Sequence, residues 1–212
     1  MIFRLDERLL FPDPALAEPD GLLAVGGNLS TGRLVLAYQN GIFPWYSDDE
    51  PILWYSPHER FVLYPQELKI SKSMKQVLRS GTFTVTLNQS FNEVVNACSS
   101  VPREGQDGTW ITDDMKAAYA QLHLEGYAHS VEVWQGGELV GGLYGVAAGA
   151  VFCGESMFSK VSNASKTALI WLCHTGKYQL VDCQVYTGHL ASMGAYMISR
   201  EEYIAILHKS LA

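Results

Sequence analysis

Cysteine is scarce in this chain of 212 residues, and its four cysteines, Cys98, Cys153, Cys173 and Cys183, never stand in C-x-x-C spacing. That excludes a zinc knuckle and a paired redox site, and leaves reduced, mostly buried thiols as the expectation. The histidines show no ligand spacing either, so no metal is expected, and His129 and His189 read as structural. No apolar run approaches the roughly 20 residues of a membrane-spanning helix. The first eight residues, Met1 to Arg8, lack an apolar signal core and carry acids early. A cytoplasmic protein is expected. Bases are the minority, 15 against 22 acids for a formal net charge of −7, which argues against nonspecific coating of nucleic acid. Repeats and low-complexity tracts are missing too, and nothing suggests an obligate interface, so a monomer is expected.

What is present is a soluble composition, 48% hydrophobic, long enough to bury one large core or two small ones. The first sixty residues hold nine acids, four bases and several Pro and Gly. They offer one clear helix, from Ser30 through Leu34 and Tyr38 to Gly41. The aromatic stretch that follows, Ile42 to Pro57, is punctuated by Pro44, Pro51 and Pro57 and reads as irregular rather than as a ladder. A domain boundary is placed near residue 60, giving a small domain over 1–60 and a larger one over 61–212.

Beyond it the pattern alternates. A strand at Arg60–Tyr64 precedes a helix capped by Ser71. A strand at Thr82–Leu87 precedes a helix opened by a capping box, Ser90 to Glu93. Thr112 caps a helix ended by Gly126. Strands at His129–Trp134, Glu138–Val146 and Ala150–Ser156 turn at Gly136-Gly137 and at Ala148-Gly149. A helix over Ala164–His174 leads to a strand at Leu180–Gln184. A short helix near Leu190–Met193 and a last one over Arg200–Leu211 close the chain. The class is α+β, with a mixed, mainly antiparallel sheet.

Two strands carry the chemistry. Phe152 to Phe158 and Leu180 to Gln184 place Glu155, Asp182 and Gln184 where buried strands are usually apolar. Alternate residues of a strand share a face, so Asp182 and Gln184 are expected to point the same way. A carboxylate inside a sheet is costly without hydrogen bonds, so this placement points either to a polar network or to a site. Lys69, Lys72, Lys75 and Arg79, spaced by three, three and four, fall on one side of a helix and form either a solvated face or a phosphate track.

Several ordered strings sharpen the reading. They are Gly41-Ile42-Phe43-Pro44-Trp45, Pro51-Ile52-Leu53-Trp54, Gly108-Thr109-Trp110-Ile111-Thr112 and Gly141-Gly142-Leu143-Tyr144-Gly145-Val146. Phe152 through Ser159, Asn163 through Leu169 and Asp182-Cys183-Gln184 complete the set. Together, over nearly the whole chain from about Pro19 to Tyr203, they resemble the leucyl/phenylalanyl-tRNA–protein transferases of the bacterial N-end rule.

The resemblance implies a small N-terminal domain joined to a C-terminal domain of the N-acetyltransferase-like (GNAT) fold. It also implies transfer of Leu or Phe, less well Met, from aminoacyl-tRNA to the α-amine of proteins beginning with Arg or Lys, without a cofactor. On it, Asp182 orients the Gln184 amide toward the incoming amine, and Glu155 supplies the counter-charge. Leu143, Phe152, Met157, Leu169, Leu172 and Val181 would line the aminoacyl pocket. Trp45 and Trp110, with Tyr38 and Tyr119 nearby, would stack on the terminal adenosine. Lys69, Lys72, Lys75 and Arg79 would meet acceptor-stem phosphates, and Asn163 or Ser165 would cap the helix behind the site. Two rivals stand beside this reading: an acyl-CoA-dependent N-acetyltransferase and a noncatalytic binding module. The first wants a Gly-rich pyrophosphate turn, where Glu155-Ser156-Met157-Phe158-Ser159-Lys160 stands instead.

Overall fold

The computed structural model describes residues 2–101 and 111–211, which form two sheets with helices against them. The smaller sheet holds β1 (Phe3–Leu5), β2 (Leu22–Gly26), β3 (Phe43–Pro44) and β4 (Leu53–Tyr55) in the order β1-β2-β4-β3, with α1 (Thr31–Gln39) between β2 and β3. The aromatic stretch is therefore part of a ladder, contrary to the sequence expectation. Pro44 fits there because β3 is the edge strand, where a missing N–H breaks no inner ladder bond. Trp54 is fully buried in β4 and donates its Nε1–H to the Gly26 carbonyl at 2.9 Å.

The second sheet is built in chain order from β5 (Glu59–Leu63), α2 (Lys72–Arg79), β6 (Thr84–Leu87), α3 (Phe91–Ser99) and α4 (Asp113–Leu124). Then come β7 (Ala128–Gln135), β8 (Glu138–Ala148), β9 (Val151–Ser159), α5 (Ala164–His174), β10 (Leu180–Gln184), α6 (Gly188–Ser192), β11 (Tyr196–Ser199) and α7 (Arg200–Leu211). Its strands run β11-β5-β10-β9-β8-β7-β6. Only the β9–β10 neighbours are parallel, because α5 carries the chain across between them. The expected mixed, mainly antiparallel sheet flanked by helices is what the chain forms. Glu59 and Arg60, assigned to the first domain from sequence, belong to the first strand of this sheet. One apolar core, including Leu23 and Trp54 of the small sheet and Val62 of the large one, runs through both.

Local chemistry explains most boundaries. Ser71 and Thr112 accept hydrogen bonds from Met74 N–H and Met115 N–H and so start α2 and α4. Gly136 and Gly137, both at positive φ, make the two-residue hairpin between β7 and β8. Two caps differ from expectation. The Ser90 side chain makes no capping bond; its N–H points to Glu132 Oε1 at 3.4 Å. Asn163 sits left-handed at φ 73 without capping α5, and the Ser159 hydroxyl instead accepts from Ser165 N–H at 3.3 Å. At Gly145 on β8 a Cβ would lie 2.7 Å from the Phe152 ring, so glycine there gives the ring its seat.

Candidate active site

Where β9 and β10 run side by side, the chain opens a cavity of about 420 Å³. Leu143 from β8, Phe152 and Met157 from β9, Leu169 and Leu172 from α5, and Val181 from β10 make its apolar wall. All six were singled out from sequence. Glu155, Asp182 and Gln184 line the same cavity, and Phe43, Pro44 and Trp45 close another side. Parallel pairing sets Asp182 opposite Cys153.

The strand period fails at the decisive place. On β5, Val62 pairs with Asp182 and the adjacent Phe61 pairs with Gln184, so Cys183 is the extra residue of a bulge. Gln184 adopts φ 58, in the left-handed region that non-glycine residues rarely occupy. Asp182 stabilises this turn by accepting the Gln184 backbone N–H at Oδ1, 2.9 Å away. The expectation that Asp182 orients the Gln184 side chain is thereby corrected. That side chain is oriented by Glu155, whose Oε1 accepts from Gln184 Nε2 at 2.9 Å. With the nitrogen tied to a carboxylate, the amide oxygen is the free end.

Glu155 has further partners. Tyr38 donates its hydroxyl to Oε1 at 2.7 Å and Tyr119 donates to Oε2 at 3.1 Å, while the two hydroxyls also touch each other. Burial pushes the Glu155 carboxyl up to about 7, against the pull of its three donors, and the charge of Asp182 adds to the rise. Burial and the Glu155 charge hold both tyrosine hydroxyls well above their ordinary range, so they remain donors.

This corrects the adenosine-stacking reading of Tyr38 and Tyr119. They are 3% and 1% exposed, and neither ring has a free face. Their helices, α1 and α4, converge on the carboxylate from two sides. Trp45, by contrast, is 40% exposed at the cavity edge, propped by Tyr55 at 6.0 Å between ring centroids. Trp110 lies outside the described residues.

Asp182 itself is fully buried against Arg60, which sequence reasoning missed as a site residue. Burial disfavours the guanidinium charge, yet the charge and hydrogen bond of Asp182, together with Tyr203 and Cys153, outweigh it and leave Arg60 above its ordinary value. An Arg opening an apolar strand was the available signal. His189, read as structural, lines the cavity with its Nε2 buried and unpartnered among the described residues. Burial and nearby Lys166 lower its pKa, so it is neutral at pH 7. His129 bonds Asn88 at 2.9 Å and is pushed down to about 4 by burial. All four cysteines are free, and Cys183 alone is half-buried. Of the basic stripe, Lys72, Lys75 and Arg79 stand exposed on α2. Lys69 precedes the helix, its N–H bound to the Met193 carbonyl, so the stripe is not a single helical face.

The sequence pattern described as leucyl/phenylalanyl-tRNA protein transferase matches residues 62–208, and that of the same family's N-terminal domain matches residues 27–58. The chain belongs to this family of aminoacyltransferases. A leucyl/phenylalanyl-tRNA–protein transferase of Syntrophus aciditrophicus is 56% identical over 98% of this chain and 88% of its own. That of Flavobacterium johnsoniae is 54% identical over 97% of this chain and 99% of its own. Among solved structures, FemX superposes with a TM-score of 0.49 at 10% identity, over 84% of this chain and 71% of that one. No helix among the described residues is long and apolar enough to cross a membrane.

Proposed function

We propose that this cavity transfers Leu or Phe, less well Met, from aminoacyl-tRNA to the α-amine of cytoplasmic proteins beginning with Arg or Lys, marking them for N-end rule degradation. One observation carries the reading: a pocket walled by six apolar residues ends at an amide backed by a buried carboxylate. At about 420 Å³ the cavity falls in the range of small-ligand sites. An apolar wall discriminates one methylene by only about 1–3 kcal/mol, which is why Leu, Phe and Met overlap.

An aminoacyl ester is already activated, so the chain's task is to align two substrates and present a neutral amine. The free Gln184 oxygen accepts an N–H of the amine and aims its lone pair at the ester carbonyl. Glu155 holds that amide and supplies the negative charge that a protonated amine or a basic side chain seeks. As the C–N bond forms, the bond to the tRNA 3′-oxygen breaks, and the proton shed by the amine ends on that oxygen. Asp182 takes no direct part, since Arg60 and the Gln184 N–H occupy its oxygens. Trp45 offers the flat face for the terminal adenosine. Lys69, Lys72, Lys75 and Arg79 meet phosphates, which position the tRNA without reading sequence.

The deciding experiment is transfer of labelled leucine from charged tRNA to two model proteins that differ only in beginning with Arg or with Ser. Equal labelling of both sinks the acceptor assignment.

Tyr38→Phe tests the carboxylate. Removing a donor from ionised Glu155 weakens the anion, so its pKa rises above about 7. A hydrogen bond to a charged group contributes about 1.5–3 kcal/mol, which corresponds to roughly one to two pH units. The acid limb of kcat/KM should move upward by that amount relative to wild type with the same acceptor. An unmoved limb removes Glu155 from the rate-controlling ionisation.

Salt tests the stripe. With four cations on phosphates, log affinity for tRNA should fall against log salt with a slope of about −3 to −4, and Lys75→Ala should flatten it by about 1. A flat titration rejects the phosphate track.

A further inference from the structure

Arg60 is the second residue of β5, an interior strand of the large sheet, and is only 2% exposed. Three parts of the chain converge on it. Nη2 donates to Asp182 Oδ2 on β10, and Nη1 donates to the Gly41 carbonyl at 2.7 Å. The Tyr203 ring of α7 lies 4.2 Å from the guanidinium carbon and the Phe43 ring 5.1 Å from it. Gly41 lies close against α7, and a Cβ there, at φ 70, would stand 3.3 Å from Tyr203 and Ile204.

Each arm of the fork leads to one half of the cavity. From Gly41 the chain continues directly into Phe43, Pro44 and Trp45, the wall at the adenosine side. From Asp182 it continues into the bulge that presents Gln184. A planar guanidinium can hold both ends at once, whereas an ammonium is a single point charge. Arg60 Nε is buried with no partner among the described residues, so the fork's use lies in its two ends.

We propose that Arg60 is a positioning residue that locks the Trp45 wall and the Gln184 bulge at one separation, so that ester and amine meet in line. The inference rests on the transferase reading above. A misplacement of about 1 Å between reacting groups costs on the order of 100-fold in rate.

The test is steady-state transfer with leucyl-tRNA varied, comparing wild type with Arg60→Lys. Lysine keeps the charge beside Asp182 but serves one partner at a time. KM for leucyl-tRNA should rise about tenfold and kcat should fall about tenfold, together about 100-fold in kcat/KM. A merely structural role reduces the active fraction, so kcat falls at unchanged KM. That result overturns the proposal, as does wild-type behaviour. Where Arg60→Lys does not fold, Arg60→Met combined with Asp182→Leu removes both buried charges, a change that folds tolerate. Its affinity for leucyl-tRNA, measured by filter binding, should weaken about tenfold, and unchanged affinity overturns the proposal. If the wild-type protein transfers nothing to an Arg-initiated acceptor, the substrate reading fails on its own, and the affinity comparison alone decides Arg60.

Discussion

Glu155→Gln should lower kcat about 100- to 1,000-fold while leaving affinity for charged tRNA nearly unchanged. The substitution keeps the size of the side chain but removes the negative charge from a carboxylate that receives three donors. A glutamine in its place offers only one acceptor oxygen to Tyr38, Tyr119 and the Gln184 amide. The Gln184 side chain then loses the contact that fixes which end faces the amine. The loss should appear at saturating charged tRNA, because Trp45, the apolar wall and the basic stripe are untouched. It should also abolish the acid limb near pH 7, since the group that titrates there is gone. Retained kcat in a folded Glu155→Gln protein would end the case for this carboxylate.

Asp182→Ala should have the other large effect, on stability and transfer together. The carboxylate is fully buried beside Arg60 and also closes the bulge through the Gln184 N–H. Removing it leaves a buried guanidinium with one partner fewer, a change that costs about 3–5 kcal/mol in comparable buried pairs. The urea midpoint should therefore fall clearly. Assayed well below the unfolding transition, transfer should be lost while tRNA affinity falls by no more than the roughly tenfold expected of Arg60→Lys, because Arg60 keeps Gly41 but no longer ties it to the bulge. Equal loss of binding and transfer would favour a noncatalytic binding surface over the transferase reading. Asp182→Asn separates the two contributions: it still accepts the Gln184 N–H but gives up the ion pair, so more activity than stability should survive.

The apolar wall was legible through the resemblance of the ordered strings and not through strand period, since Phe152 and Met157 stand five residues apart on β9 and both reach the cavity only because the β8–β9 register shifts at Glu155. Leu169 and Leu172 lie one helical turn apart on α5, and Phe152 and Val181 sit opposite each other in a parallel ladder. The polar half was legible only in outline. Glu155, Asp182 and Gln184 stood out as misfits in apolar strands, but a period of two could not foresee the bulge at Cys183, since a bulge is set by the partner strand. Tyr38 and Tyr119 illustrate a different limit. Aromatic rings near a nucleotide site suggest stacking, yet their hydroxyls are 81 residues apart in sequence and meet only because α1 and α4 close over Glu155. The small sheet was hidden for a third reason: strands of two to five residues, interrupted by proline or glycine, leave no period to read.

The order of strands across the large sheet carries a kinetic consequence. β5 is flanked by β11 and β10, so the strand carrying Arg60 finds both its neighbours more than a hundred residues later in the chain. Pairings of such long loop closure form slowly, and during synthesis they wait for the last segments to emerge. A nascent polypeptide can complete its β7–β8–β9 meander early and still own no working centre. Competence arrives at the final step of maturation, when the C-terminal strands dock on either side of β5.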